Sequence, residues 1–209
     1  MVLEVTATPI LVVMGVAGTG KSTVAGLLAA QLNWELQEGD DLHPPANVAK
    51  MSAGIPLTDD DRWPWLDAIA AWMKKKTLRG EPGIVTCSAL KRSYRERLRS
   101  PNVIFVFLNG TREVIEARLT SRLHHFMPPG LLDSQLATLE PPTSDENVLE
   151  VNLAGTPGEE VAEVLHALEG RISSQPGPPG EVSKTPETVQ NPSGADVSES
   201  WPQPRSAET

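Results

Sequence analysis

Gly15-Val16-Ala17-Gly18-Thr19-Gly20-Lys21-Ser22 fits the pattern G-x-x-x-x-G-K-[ST], and its flanks turn that match into a structural statement. Ahead of it stands Ile10-Leu11-Val12-Val13-Met14, an apolar, β-branched run of strand length. Behind it, Val24, Leu27, Leu28 and Leu32 recur at helical spacing. A glycine-rich turn between strand and helix curls its backbone N–H groups around an anion, and the helix N-terminus adds partial positive charge. Lys21 is placed to reach the β- and γ-phosphates of a nucleotide, and the Ser22 hydroxyl to ligate Mg²⁺. Residues 15–22, with Thr23 in the first helical turn, are therefore the expected nucleotide-binding segment. Ser22 is the expected metal contact, and a nucleoside triphosphate with Mg²⁺ the expected ligand.

Outward from that turn the chain alternates. Residues 10–14 and 21–32 read as the first strand and helix, and Trp34–Glu38 as a short second strand ending at Gly39-Asp40-Asp41. Pro44–Met51 can be helical with a proline in its first turn. Thr58 is a candidate N-cap for a helix opened by Asp59-Asp60-Asp61, with Trp63, Leu66, Ile69, Ala70 and Met73 as its apolar face and Lys74-Lys75-Lys76 as its end. Gly83–Cys87 reads as a third strand, followed by a basic helical stretch over Ser88–Arg99. Asn102–Leu108 is the fourth strand and Thr111 caps a helix to about Arg122. A short helix covers about 131–139, Asn147–Asn152 is the fifth strand, and Pro157–Leu168 a last helix. Strands alternating with helices predict an α/β fold with a parallel sheet and right-handed crossovers.

The bulk properties narrow the class. The 209 residues suffice for one sizeable core. A net charge of −9 and a pI near 5.0 argue against nucleic acid as a partner. A lone cysteine, Cys87, forbids an internal disulfide and fits a reducing compartment. No apolar run approaches the roughly 18 residues of a membrane span, and the first apolar run leads into the glycine turn rather than forming a signal peptide. A cytoplasmic protein is expected. From Ser173 onward the composition changes, with seven prolines and seven serines among the last 37 residues. That segment has too little apolar surface to offset its ordering entropy, so residues 1–172 are expected to form the folded domain and 173–209 a disordered tail.

In an open α/β sheet ligands bind beyond the carboxyl ends of the strands. The turn after strand one, Asp40 after strand two, Ser88 and Lys91 after strand three, and the loop around His125 are all expected at or near that edge. Together they make the parts of a phosphoryl transferase: a phosphate cradle, a carboxylate to take a hydroxyl proton, and cations for the charge on the group in transit. Asp40 is the best candidate base. Arg97 and Arg99 read as solvated helix surface. No Cys/His cluster has metal-site spacing, so the metal is expected to arrive with the nucleotide.

Several further blocks stand in fixed order: Gly39-Asp40-Asp41-Leu42-His43-Pro44, Gly54-Ile55-Pro56-Leu57-Thr58-Asp59-Asp60-Asp61-Arg62-Trp63-Pro64-Trp65-Leu66, Cys87-Ser88-Ala89-Leu90-Lys91 and His125-Phe126-Met127. With the phosphate turn they resemble the P-loop gluconokinases over about residues 10–170. The resemblance implies the adenylate/shikimate-kinase-like, three-layer fold, with a five-stranded parallel sheet in the order 2-3-1-4-5. It implies phosphorylation of D-gluconate on its 6-hydroxyl by ATP, in a cytoplasmic enzyme that is often a homodimer. Residues 43–65 would then line the substrate side and 122–130 a lid. Arg118 and Arg122 would be cations on the γ-phosphate, and His43, Asp60, Asp61, Arg62, Ser88, Lys91 and His125 contacts of the sugar acid. Asp40, Lys21 and Arg122 would carry catalysis. The residues by themselves also leave open a kinase of another small polyol acid, such as shikimate, and a nucleotide-dependent switch with no second substrate.

Overall fold

β1 (Ile10–Met14) is buried at every position because it lies at the centre of a five-stranded sheet. The computed structural model describes residues 8–120 and 129–173. β1 pairs in parallel with β3 (Gly83–Thr86) on one side and β4 (Val103–Asn109) on the other, with Ile10 opposite Gly83 and Val103. β2 (Glu35–Gln37) adds to β3 and β5 (Val148–Asn152) to β4, which completes the order β2-β3-β1-β4-β5. The expected order is therefore present, and every strand ends at the same edge.

The helices cover both faces. Alternation along β1 sends Leu11 and Val13 to one side, against α1 (Lys21–Leu32), α5 (Arg112–Thr120), α6 (Pro129–Thr138) and α7 (Pro157–Ser173). It sends Ile10, Val12 and Met14 to the other, against α3 (Asp59–Leu78) and α4 (Arg92–Leu98). A 3-10 turn at Gly39–Leu42 and α2 (Pro45–Ser52) fill the connection between β2 and α3. Among the described residues no helix is long and apolar enough to cross a membrane. The tail from residue 174 and the stretch 121–128 lie outside the described residues.

Three expectations change. α3 does not close at the lysine run but continues to Leu78, and Lys76 is buried. Lys76 lies on the same helical face as Ile69 and Met73, so it is turned inward, where Glu35 and Glu81 accept from its ammonium at 2.6 and 2.8 Å. The hydrogen bond to Glu35, followed by that to Glu81, raises the Lys76 pKa. Trp65 joins Leu66, Ile69 and Met73 in the core, while Trp63 is only half-buried. The stretch 88–99 is helical only from Arg92. Ahead of it, Ala89 has φ +45° and the Ser88 carbonyl accepts from the Gly15 N–H at 3.3 Å, so the phosphate turn holds this segment out of the helix.

Arg95 explains how that irregular segment is stable. Its side chain is 1% exposed, and its guanidinium donates to the carbonyls of Ala89, Leu90 and Glu140 and to both oxygens of Glu146, which is itself 5% exposed. The hydrogen bond from Arg95 holds the Glu146 carboxyl below its ordinary pKa. Its stabilisation is therefore present above the unfolded carboxylate value and lost as pH falls through the folded one. Glu146→Ala leaves a buried guanidinium without its counter-charge, and urea unfolding is expected to read a loss of about 3–5 kcal/mol.

Candidate active site

The phosphate turn is closed on itself. Gly15, Gly18 and Gly20 all have positive φ, and a Cβ on Gly18 would meet Leu119 of α5 at 2.6 Å. Lys21 Nζ donates to the carbonyls of Gly15 and Val16, both at 3.1 Å, and so arches back over the loop. Arg118 reaches the same loop from α5, donating to the Thr19 carbonyl at 3.2 Å. Its other nitrogen donates to Glu160 of α7 and to the carbonyls of Leu153 and Gly155. Ser22 and Thr23 are exposed at the first turn of α1.

The neighbouring strand ends are tied to that turn through one hydroxyl. Thr86, the last residue of β3, accepts from the Gly39 N–H at 3.0 Å and donates to Glu38 at 2.6 Å. The same Glu38 oxygen accepts from the Ser22 hydroxyl at 3.1 Å. A Cβ on Gly39 would sit 2.0 Å from the Thr86 carbonyl oxygen, so only glycine fits there. Trp65 of α3 donates its indole N–H to the Gly39 carbonyl at 2.7 Å, and His43 stacks on the same indole with centroids 4.3 Å apart. These contacts leave Asp40, one residue on, with a side chain 93% exposed and 4.0 Å from the otherwise covered His43 ring. Burial pushes the His43 pKa down, Asp40 pulls it up, and Arg62 lowers it. Cys87 beyond Thr86 is buried and its thiol is pushed up to about 12, which makes it a packing residue rather than a nucleophile.

A second cluster stands where α3 and α4 begin. Asp59 accepts from Lys91 at 2.6 and 2.9 Å and from the Tyr94 hydroxyl at 2.5 Å, and Arg62 lies 3.8 Å away. Lys91 and Arg62 both lie over the Tyr94 ring, at 5.6 and 6.0 Å from its centroid. The hydrogen bonds from Lys91 and then Tyr94 lower the Asp59 pKa. The cluster thus sets two cations against one carboxylate. Arg62 also donates to the Leu57 carbonyl at 2.7 Å.

The three acids of Asp59-Asp60-Asp61 therefore separate. Asp61 closes a capping box with Thr58 and accepts from Lys50 at 2.6 Å, while Asp60 is exposed. Asp59 is the one facing Lys91, although sequence reasoning favoured its two neighbours. Glu38 and Thr86 were missed, and Tyr94, Trp65 and Asn47 stand in the sequence blocks without an assigned role. Asn47 is buried, 3.4 Å from His43 and donating to the Asp61 carbonyl at 2.7 Å. A helical repeat from Lys91 would have flagged Tyr94, but nothing local marks Thr86. Ser88 contributes its carbonyl to the phosphate turn. Arg122 and His125 lie outside the described residues, as does most of the segment 122–130. Among the described residues no three His, Cys, Asp or Glu side chains group as a metal site. Ser22 with Glu38 offers two hard oxygen donors, which suit Mg²⁺ shared with phosphate.

No family model matches the chain. It is 55% identical over 144 residues to a gluconokinase of Gluconobacter oxydans, a match covering 68% of this chain and 81% of that protein. The chain belongs to the gluconokinase family. The crystal structure of a gluconokinase from Sinorhizobium meliloti 1021 aligns with a TM-score of 0.70 at 45% identity, over 80% of this chain and 98% of the other. Shikimate kinase from Aquifex aeolicus aligns with a TM-score of 0.53 at 18% identity, over 79% and 99% of the two chains, a likeness of fold alone.

The surroundings of His43 make a measurable statement. Its NMR titration midpoint, assigned with His43→Gln, is expected below the ordinary imidazole value near 6.5, and Asp40→Asn should lower it further by removing the one group that raises it. An upward shift in that variant would contradict the geometry.

Proposed function

We propose that this protein is a gluconokinase that transfers the γ-phosphoryl group of ATP to the 6-hydroxyl of D-gluconate, giving 6-phospho-D-gluconate and ADP. The observation carrying this is the presentation of Asp40: an exposed carboxylate on a turn fastened to the phosphate loop through Glu38, Thr86 and Ser22. Its place at the common strand edge, beside a loop built for a nucleoside triphosphate, is what an acceptor base requires. The family membership supports gluconate over other polyol acids.

In the reaction we infer, the 6-oxygen of gluconate forms its bond to the γ-phosphorus in line with the breaking bond to the β–γ bridging oxygen. The hydroxyl proton passes to Asp40, and ADP leaves with the bridging oxygen. Lys21 and the loop N–H groups other than those of Gly15, Ala17 and Thr19, which donate within the protein, hold the phosphates and offset the charge that develops on them. Ser22, with Glu38 beside it, would hold the Mg²⁺ that accompanies ATP, whose role is to neutralise phosphate charge. Lys91 and Arg62, with Asp59 between them, leave one positive charge in excess, which matches the single carboxylate of a sugar acid. His43 beside Asp40 would meet substrate hydroxyls, while Asp61, which accepts from Lys50 and Thr58, would support that wall. Arg118 we assign to the nucleotide, through the loop backbone it holds. A cytoplasmic enzyme fits the single buried thiol, and the homodimer implied by the resemblance is open to light scattering.

Purified protein with ATP and Mg²⁺ is expected to release ADP in the presence of D-gluconate and not of shikimate. Gluconate-independent turnover would favour the switch instead. Asp40→Asn is expected to keep nucleotide binding while kcat falls by about 100-fold or more, the range for loss of a general base.

A further inference from the structure

The P-loop has one contact that the mechanism above does not use. Gln135 of α6, 118 residues along the chain from its partner, accepts from the backbone N–H of Ala17 through its side-chain oxygen at 2.7 Å. The partner is a donor, so the oxygen must be the atom facing it, and the orientation of the amide follows.

The position of Ala17 matters. In a P-loop the amides at the helix end cradle the α- and β-phosphates, and the lysine addresses the β- and γ-phosphates. Lys21 Nζ here rests on the carbonyls of Gly15 and Val16, so Ala17 is the residue directly after the two that the ammonium caps. Its N–H therefore lies next to the carbonyls on which the ammonium that addresses the β- and γ-phosphates rests.

Gln135 is held there from two sides. Leu132, one turn earlier on α6, is 4% exposed in the core, with Leu136 packed beside it. Just past the helix, the Glu140 N–H donates to the Leu90 carbonyl at 2.8 Å, and the Glu140 carbonyl accepts from the buried Arg95. With its oxygen on Ala17, the half-buried Gln135 keeps two N–H donors on its nitrogen, and among the described residues nothing accepts from them.

We propose that Gln135 is a γ-phosphate-binding residue: Ala17 fixes its side-chain oxygen, and its nitrogen donates to the oxygens of the phosphoryl group being transferred. This rests on the kinase reading of the site. A donor placed in advance needs no reorganisation as charge moves onto those oxygens, and it gains most in the transition state. It also distinguishes a triphosphate from a diphosphate, because the product ADP offers it no partner.

Calorimetry with ADP and with the non-hydrolysable β,γ-imido analogue of ATP, joined to steady-state kinetics, tests this. For Gln135→Ala, analogue affinity is expected to fall about 5-fold or more with ADP affinity within about 2-fold, and kcat to fall about 10- to 100-fold with little change in KM for gluconate. Equal weakening of ADP and analogue, or kcat within about 2-fold of wild type, would overturn the assignment, since a side chain that only braces α6 has no means of sensing the third phosphate. Gln135→Glu retains an acceptor for Ala17 but lacks the donors. It is expected to be as slow as Gln135→Ala, and wild-type turnover in it would refute the donor role. If the unaltered protein fails to turn over gluconate, the proposed function fails, while the comparison of analogue with ADP still decides the role of Gln135.

Discussion

The hydroxyl of Thr86 joins the two halves of the site. It accepts from the Gly39 amide and donates to Glu38, whose same oxygen also takes the Ser22 hydroxyl. β2, β3 and the start of α1 thus meet at one carboxylate oxygen and one threonine. The phosphate loop and the turn that carries Asp40 share a support, so the position of Asp40 is set relative to that loop. Such a join is possible only because Gly39 has no side chain: a Cβ there would stand 2.0 Å from the Thr86 carbonyl oxygen. The sheet order makes this close approach unavoidable, since β2 lies next to β3 and both end at the same edge.

Charge is compensated with similar economy. Among the described residues Lys76, Arg95 and Lys91 are each removed from bulk solvent in part or whole and stand against acidic partners: Lys76 on Glu35 and Glu81, Arg95 on Glu146, and Lys91 on Asp59. The first two are saturated and serve the fold. The third is not, because Arg62 shares Asp59 with Lys91 and leaves one positive charge over. A buried charge with full compensation has nothing to offer a ligand. A half-exposed pair of cations sharing one carboxylate does, and in the proposed function it would meet the acceptor's carboxylate.

How much of this was legible in the sequence depended on the range of the interaction. The phosphate turn, its strand and its helix could be read because their signals lie within about 20 adjacent residues, as glycines, a lysine and two apolar periods. The cap at Thr58 was legible for the same reason, its partner being three residues away. Asp59, Asp60 and Asp61 looked equivalent because all three suit a helix N-terminus. Helix phase and the location of Lys91, 32 residues on, single out the first. Arg95 looked like one more residue of a basic face. Its burial depends on Glu146 arriving from the far side of β4, which no local pattern announces.

The sequence by itself determined the α/β class, the nucleotide-binding turn, the strand edge at which chemistry can occur, and the acidic and basic blocks that line it. These rest on backbone preference and on apolar periods of two and 3.6 residues, both of which act between near neighbours. The tertiary structure alone decided which carboxylate meets Lys91, which lysine turns inward, where the helix after β3 begins, and that Gln135 touches Ala17. Those outcomes depend on two segments distant in the chain competing for the same donor or the same buried volume. Only the packed fold brings both competitors to one place.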